Sequence, residues 1–336
     1  MAMRWYVARR VLWAVFATYL ALSITFGLLT ISPNTGQMQA AFQAAATGGN
    51  VTEAQQAYRQ RRGLDRPLWQ RYVDYVVNMF TFNWGWSFSQ NRPVIDAIGS
   101  AWPYSAQYMI PATVISVLVA YSIGLYSAMH QYTLTDYVGT FIAFFGISIP
   151  NFWFAVMLIL FGGVWLQELS LFGADLSWLA FPTYYKTQVE MFSLNNLHQI
   201  VLPIVVVSTA TVAGQMRYAR AQALEYVNAE FVKVAKAKGG SDWHILVWHV
   251  LRVAIVPLAT ILVSEFIALL FAGAFVTEFV FQIPGIGLMA FKAIRDNDTP
   301  LIMATTLIPV FLAIIGNLLQ DLAYVWLDPR IEYGDR

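Results

Sequence analysis

Long apolar runs alternate along the chain with short polar stretches. Six runs, about 11–31, 104–129, 137–166, 198–217, 253–281 and 300–326, are long enough to cross a membrane as helices. At about 1.5 Å per residue, some 20 residues span the roughly 30 Å of hydrocarbon in a bilayer. The pattern predicts an all-α, polytopic membrane protein with six transmembrane helices. Prolines punctuate the runs. Pro103 stands at the start of the second run and Pro111 inside it, and Pro150, in "GISIPNFWF", is expected to kink or break the third. Pro257 lies near the start of the fifth run, and Pro300 opens the sixth as a first-turn proline.

The first run follows Arg4, Arg9 and Arg10, as the apolar core of a signal peptide would. At about 21 residues it exceeds the 7–15 of a cleavable signal, and "SPNTGQMQAA" is a poor small-x-small site, so it reads as a retained anchor. Orientation follows from the basic residues near the span ends. With the N-terminus inside, one side collects Arg217, Arg220, Lys233, Lys236, Lys238, Arg252, Arg330 and Arg336, while short loops opposite hold Lys186, Lys292 and Arg295. Six arginines in the long segment 32–100 (Arg59, Arg61, Arg62, Arg66, Arg71, Arg92) are largely exempt from the rule. Both termini are therefore expected in the cytoplasm. Residues 1–31 read as cytoplasmic N-terminus and first helix, and 32–100 as an extracytoplasmic helical region. Residues 101–327 read as a core of helices 2–6 with a cytoplasmic loop at 218–252, and 328–336 as a cytoplasmic tail.

Within the first of the long loops, 52–81 reads as two helices divided at Gly63–Pro67. In the second of them Leu68, Tyr72, Tyr75, Val76 and Met79 share a face, which is expected to pack on the membrane bundle. "NWGWSFSQNRPV" (83–94) reads as an interfacial loop anchored by Trp84 and Trp86. Asn50-Val51-Thr52 fits an N-glycosylation acceptor, a triplet common by chance.

Composition narrows the chemistry. Of 336 residues 58% are hydrophobic and 12% charged, against about 25% charged in a soluble domain. Mean hydropathy is +0.55. A net charge of +1 gives no reason to expect nucleic acid as a partner. The absence of cysteine excludes disulfides, thiol catalysis and Cys-ligated metal. His130, His198, His244 and His249 make no metal-binding spacing and read as structural or interfacial. No phosphate-cradling G-x-x-x-x-G-K-[ST] loop and no convincing Ser–His–Asp set is present.

One stretch interrupts the apolar pattern: "EFVKVAKAKGGSDWHILVWHVLRVAIVPL" (230–258). Its first part reads as a short amphipathic helix with Phe231, Val234, Ala235 and Lys238 on one face and Glu230, Lys233 and Lys236 or Ala237 on the other. Lys236 and Lys238 suit the last turn, Gly239-Gly240 ends the helix, and Ser241 or Asp242 caps a second one. Ala235 and Ala237 would let another backbone come close. Two readings follow: a helix pair on the lipid surface, or a compact knob inserted into a partner protein. The short length and tight turn favour the knob.

The same stretch resembles the cytoplasmic loop of ABC-importer permeases, E-A-A-x-x-x-G-x9-I-x-L-P, and more closely the peptide-importer variant "ARAKG-x9-H-A-L-R-N-A-L-L-P". Ala235, Ala237, Lys238 and Gly239 match, and beyond nine intervening residues His249, Leu251, Arg252 and Pro257 match; Lys233 and Val234 replace the first Glu-Ala. "RGLDRPLWQRYVDY", "GISIPNFWFAVMLIL", "FVTEFVFQIPGIG" (275–287) and "LDPRI" resemble family segments in the same order. The outer loop has Asn-Trp-Gly-Trp where the family has Gly-Asp-Leu-Gly, and the 129–136 turn lacks the usual arginines. The chain is thus similar to the first of the two permeases of dipeptide and oligopeptide importers.

That resemblance implies a type I ABC importer permease fold in the plasma or inner membrane, surrounded by lipid. It implies a second homologous permease, two ABC ATPase subunits and an extracytoplasmic substrate-binding protein as partners. The chain itself would be non-catalytic and hold no cofactor, with ATP and Mg on the ATPase subunits. Lys233, Ala235, Lys236, Ala237, Lys238, Gly239, His249, Leu251 and Arg252 would form the loop that couples to them. Arg252 and His249 equally fit a snorkelling arginine and a packed histidine. For the pathway or gate, Glu265 is the most interior ionisable residue, a functional candidate or one half of a polar pair with the partner permease. Glu278 is expected to order the Pro284-Gly285-Ile286-Gly287 loop at the outer mouth. Asp321 is expected to pair with a loop lysine or arginine. The same machinery carrying oligosaccharides or other small solutes stays open as an alternative, as does a secondary transporter, at which only Glu265 hints.

Overall fold

The computed structural model describes residues 2–31, 35–61, 63–168, 170–171, 174–175, 177–272 and 274–327. The side chains of residues 2–4, 35, 169–176, 261, 264–273 and 324–327 lie outside that description. Helix α1 (Ala2–Ile31) runs from what we call the near end of the bundle to the far end. There α2 (Thr35–Ala46), α3 (Val51–Arg61), α4 (Leu68–Phe80) and the hairpin β1–β2 (Trp86–Ser87, Arg92–Pro93) follow. Helix α5 (Val94–Met129) returns to the near end, and α6 (Leu134–Ser148) and α7 (Asn151–Leu158) climb back. The latter widens to a π turn over Ile159–Trp165 before α8 (Leu166–Glu168). Helix α9 (Leu194–Val227) descends to the near-end helix α10 (Glu230–Ala237). Next come α11 (Asp242–Ile245), a π stretch and α12 (Leu251–Ala272). At the far end α13 (Phe275–Phe281) and α14 (Ile286–Arg295) meet at 86°, and α15 (Thr299–Leu327) completes the bundle. Six helices among the described residues are long and apolar enough to cross a membrane.

Several helix ends differ from the apolar runs. Helix α5 starts ten residues before the run at 104 and carries both Pro103 and Pro111 inside it. Helix α9 outlasts its run at both ends, because residues 218–227 are good helix formers although polar. The third run breaks at Pro150, which caps α7. The fifth is not one span. Helical backbone begins at Asp242, passes through Pro257, and stops before Ala274, whose φ −101° and ψ 87° leave the helix.

Helices α5 and α9 pack at close range through small residues. A Cβ on Gly124 would lie 2.6 Å from the Met216 carbonyl oxygen, and Ala120, Ala219 and Ala223 are fully buried. Of the expected α4 face, Tyr75, Val76 and Met79 pack with Leu22 of α1 and Leu307 of α15, and the Tyr72 hydroxyl meets Ser23 at 2.7 Å. Leu68 points away and is exposed, being one turn short of the contact. Trp84 joins that cluster and its Nε1 donates to the Met79 carbonyl, while Trp86 stays half-exposed. Asn50 caps α3: its Oδ1 accepts from the Thr52 and Glu53 amides and its Nδ2 donates to Glu53.

Candidate functional site

At the near end, α10 is closed by a glycine motif. Lys238 ends the helix, Gly239 takes φ +79°, its N–H donates to the Lys236 carbonyl, and Gly240 N–H donates to the Ala235 carbonyl. Those two bonds satisfy carbonyls that a helix end leaves open, and the left-handed conformation costs glycine less than any residue with a Cβ. Ser241 then caps α11, its Oγ accepting from His244 N–H at 3.3 Å.

Of the apolar face read from the sequence, Ala235 turns inward while Phe231 and Val234 do not. Val232 and Ala235 are buried, among Leu125 and Ala128 of α5, Ala223 and Val227 of α9, and Ile245 and Val250 beyond the turn. Phe231 and Val234 face outward, 40% and 51% exposed. Apolar residues occupy 231, 232, 234 and 235, so either pair three apart, 231 with 234 or 232 with 235, can turn inward. The slot between α5 and α9 decides, because it admits the pair that α10 reaches when its start follows directly on α9.

The coupling-loop candidates separate accordingly. Ala235 and Leu251 pack inward, and His249 is half-buried with its ring edge-on to His244 at 5.8 Å. Lys233, Lys236, Ala237, Lys238, Gly239 and Arg252 are exposed, together with Trp243 and Trp248. The Lys233–Glu230 ion pair at 2.7 Å is solvent-exposed and contributes little.

Behind the loop lies a cluster that sequence reasoning missed. Asp136, buried in the first turn of α6, accepts from Ser127 Oγ of α5, from Tyr132 N–H at 3.0 Å, and from Arg220 Nη2 of α9 at 2.9 Å. It ties α6 to α5 and α9, two of the elements on which α10 rests. Its local signal was Thr133-x-x-Asp136, a helix-start pattern in which Thr133 accepts from the Asp136 amide.

At the far end, Glu278 is fully buried in α13 and accepts from Ser105 Oγ at 2.6 Å, Tyr108 OH at 2.9 Å and Leu288 N–H at 2.9 Å. Ser105 Oγ also accepts from Ile286 N–H, and Tyr108 OH from Ala274 N–H. One carboxylate therefore holds α5, α13 and the start of α14 together. Gly285 and Gly287 are needed for closeness. A Cβ on Gly285 would lie 2.5 Å from the Glu278 carboxylate, and one on Gly287 2.7 Å from the Phe275 backbone. Pro284 is half-buried in the bend, just after Gln282 turns left-handed at φ 55°.

Glu265 is on α12, but its side chain lies outside the described residues. Asp321 pairs with Arg10 of α1 at 3.0 Å rather than with the loop, because α1 and α15 are neighbours at the near end. A second buried carboxylate, Asp298, also escaped sequence reasoning. It accepts from Ser87 Oγ at 2.6 Å and from Ser89 N–H and Oγ at 2.8 Å, fastening the β hairpin to the start of α15.

Residues 120–333 match the family model described as "Binding-protein-dependent transport system inner membrane component". The chain belongs to this family. It is a membrane-embedded permease component of a binding-protein-dependent transport system. The match spans both ends of the bundle, from the second half of α5 onward, and so contains Asp136, the α10 turn and Glu278. The remainder has counterparts in full-length relatives. The permease is 32% identical to the oligopeptide transport system permease protein AppB of Bacillus subtilis over 82% of its own length and 84% of that protein. It is 29% identical to the dipeptide transport system permease protein DppB of Lactococcus lactis over 97% and 98%. Its identity to the Bacillus subtilis dipeptide permease DppB is 32% over 95% and 96%.

Proposed function

We propose that this permease forms half of the pathway of an importer for dipeptides and oligopeptides, driven by partner ATPases that grip α10. A second, related permease supplies the other half, and an extracytoplasmic binding protein delivers cargo at the far end. The near end faces the cytoplasm, and ATP and Mg stay on the ATPase subunits. Peptide cargo is supported by the names of relatives that align over nearly the whole chain.

The observation that carries the coupling role is the two-sidedness of α10. Its inner face is seated on α5, α9 and α11 at once, so a force on it reaches the bundle as rigid-body motion. Its outer face offers Phe231 and Val234 among Lys233, Lys236 and Lys238, a small apolar patch ringed by positive charge. Ala237 and Gly239 leave room for a partner backbone.

The test is Gly239→Pro in the assembled transporter, which removes the Gly239 N–H bond and forbids φ +79°. ATPase subunits should dissociate or hydrolyse ATP without uptake of a labelled dipeptide. Normal uptake by this variant would refute the coupling role. Uptake of an oligosaccharide but not of any peptide by the unaltered transporter would refute the cargo alone.

A further inference from the structure

Two cavities adjoin where α4 meets α1, α5 and α15. The first, about 500 Å³, is polar and lies at the far end, lined by Thr30 near the end of α1, Thr299 at the start of α15, and Arg61, Arg71 and Asn78. The second, about 620 Å³, is apolar and lined by Thr18, Ile98, Gly99, Trp102, Phe311 and Ile315. Met79 and Trp84 line both. Along α1, Thr18 lies about 18 Å deeper in the bundle than Thr30, and along α15, Ile315 lies about 24 Å deeper than Thr299. Polarity thus falls along the direction in which a bilayer passes from headgroup to hydrocarbon.

The polar cavity carries uncompensated positive charge. Arg66 pairs with Asp74 at 3.2 Å and Asp296 with Arg295 at 2.9 Å, whereas Arg61 and Arg71 have no acidic partner among the described residues. On the same lining the Tyr75 hydroxyl is buried without a hydrogen-bond partner among the described residues, a donor with nothing to donate to. Outside the cavities α4 turns Trp69, Val73 and Val77 away from the protein, each at least half exposed, in a stripe at helical spacing, and Phe80 at its end lines the apolar cavity. That stripe continues the apolar surface of α1 and α15, which as membrane-spanning helices already face lipid.

We propose that a phospholipid with an anionic headgroup occupies these paired cavities. Its headgroup phosphate sits in the cavity of Arg61, Arg71 and Tyr75, and an acyl chain runs past Met79 and Trp84 into the groove beside Gly99. The apolar groove demands a chain and the two unpaired arginines demand a net negative headgroup, which neither a free anion nor a zwitterionic lipid, whose choline offsets its phosphate, supplies together with a chain. The site does not depend on the cargo.

The transporter, purified with its co-purifying partners and stripped of lipid, is titrated with phosphatidylglycerol, phosphatidylcholine or inorganic phosphate. Native mass spectrometry counts retained lipid, and thermal unfolding reads the stabilisation. Phosphatidylglycerol should be retained and raise the Tm; the other two should do neither. Arg71→Gln should weaken binding roughly tenfold, the size of one charge-assisted hydrogen bond. Gly99→Phe should fill the groove and abolish binding, its Cβ meeting nothing within 4 Å, and the Tm of the lipid-free variant reads whether the fold is kept. Equal retention by the unaltered chain and both variants overturns the proposal, as does an equal Tm rise with phosphate alone. A Gly99→Cys variant, in a chain otherwise free of cysteine, that a thiol-attached photo-cross-linker joins to the second permease would place a protein in the groove and also overturn it.

Discussion

The α10 turn and the α13–α14 bend are built on different physics. The α10 turn is held by backbone hydrogen bonds and apolar contacts, and its charges face water. The α13–α14 bend is held by a charge taken out of water and surrounded by donors from three elements. A local turn of the first type keeps its shape whatever binds to it, as a lever must. A buried carboxylate of the second type has no substitute, since removing it strands several donors at once. The contrast teaches that the α10 turn is stiff through redundancy and the α13–α14 bend through one residue.

The largest effect should therefore fall on Glu278→Ala, which leaves Ser105, Tyr108 and Leu288 without their acceptor. It should destabilise the permease by about 3–5 kcal/mol in thermal unfolding, and Glu278→Gln by less, since one acceptor oxygen remains. Equal effects of the two would mean that packing, not hydrogen bonding, holds the bend. Next, Gly287→Ala meets the Phe275 backbone at 2.7 Å and should cost about 1–3 kcal/mol, while Gly214→Ala, with open space at its Cβ, should be neutral or slightly stabilising. Gly239→Ala should cost about 1–2 kcal/mol through its left-handed backbone and lower uptake more than it lowers Tm. Smallest of all, Lys233→Ala removes only the solvated pair with Glu230 and should shift stability by less than about 0.5 kcal/mol. A large loss of uptake from Lys233→Ala with unchanged Tm would mark that lysine as a partner contact.

Much of the near end was legible because its rules act within one or two turns. Gly239, Ser241 and the lysines of the last turn each do what their position in the sequence implies. The inward face of α10 was not legible, since it depends on a slot formed by residues as distant as Leu125. At the far end, the resemblance of "FVTEFVFQIPGIG" pointed to Glu278 and its loop, but nothing local pointed to Ser105 or Tyr108, 170 or more positions away. Asp136 and Asp298 were passed over because a carboxylate near a helix start reads as an ordinary exposed cap. Arg10–Asp321 was misassigned for the same reason: the pairing depends on which helices become neighbours.

By itself, the sequence determined that the chain is helical, that six of its segments suit a bilayer, and that a charged turn near 239 interrupts them. These follow from apolar run length and from capping chemistry, which depend on neighbours in the chain. Only the tertiary structure decided which carboxylates are buried, which face of α10 is turned outward, and where a polar cavity opens onto an apolar groove. Burial is a property of the segments that surround a residue, and α5, α9, α13 and α15 reach those positions only when the bundle closes.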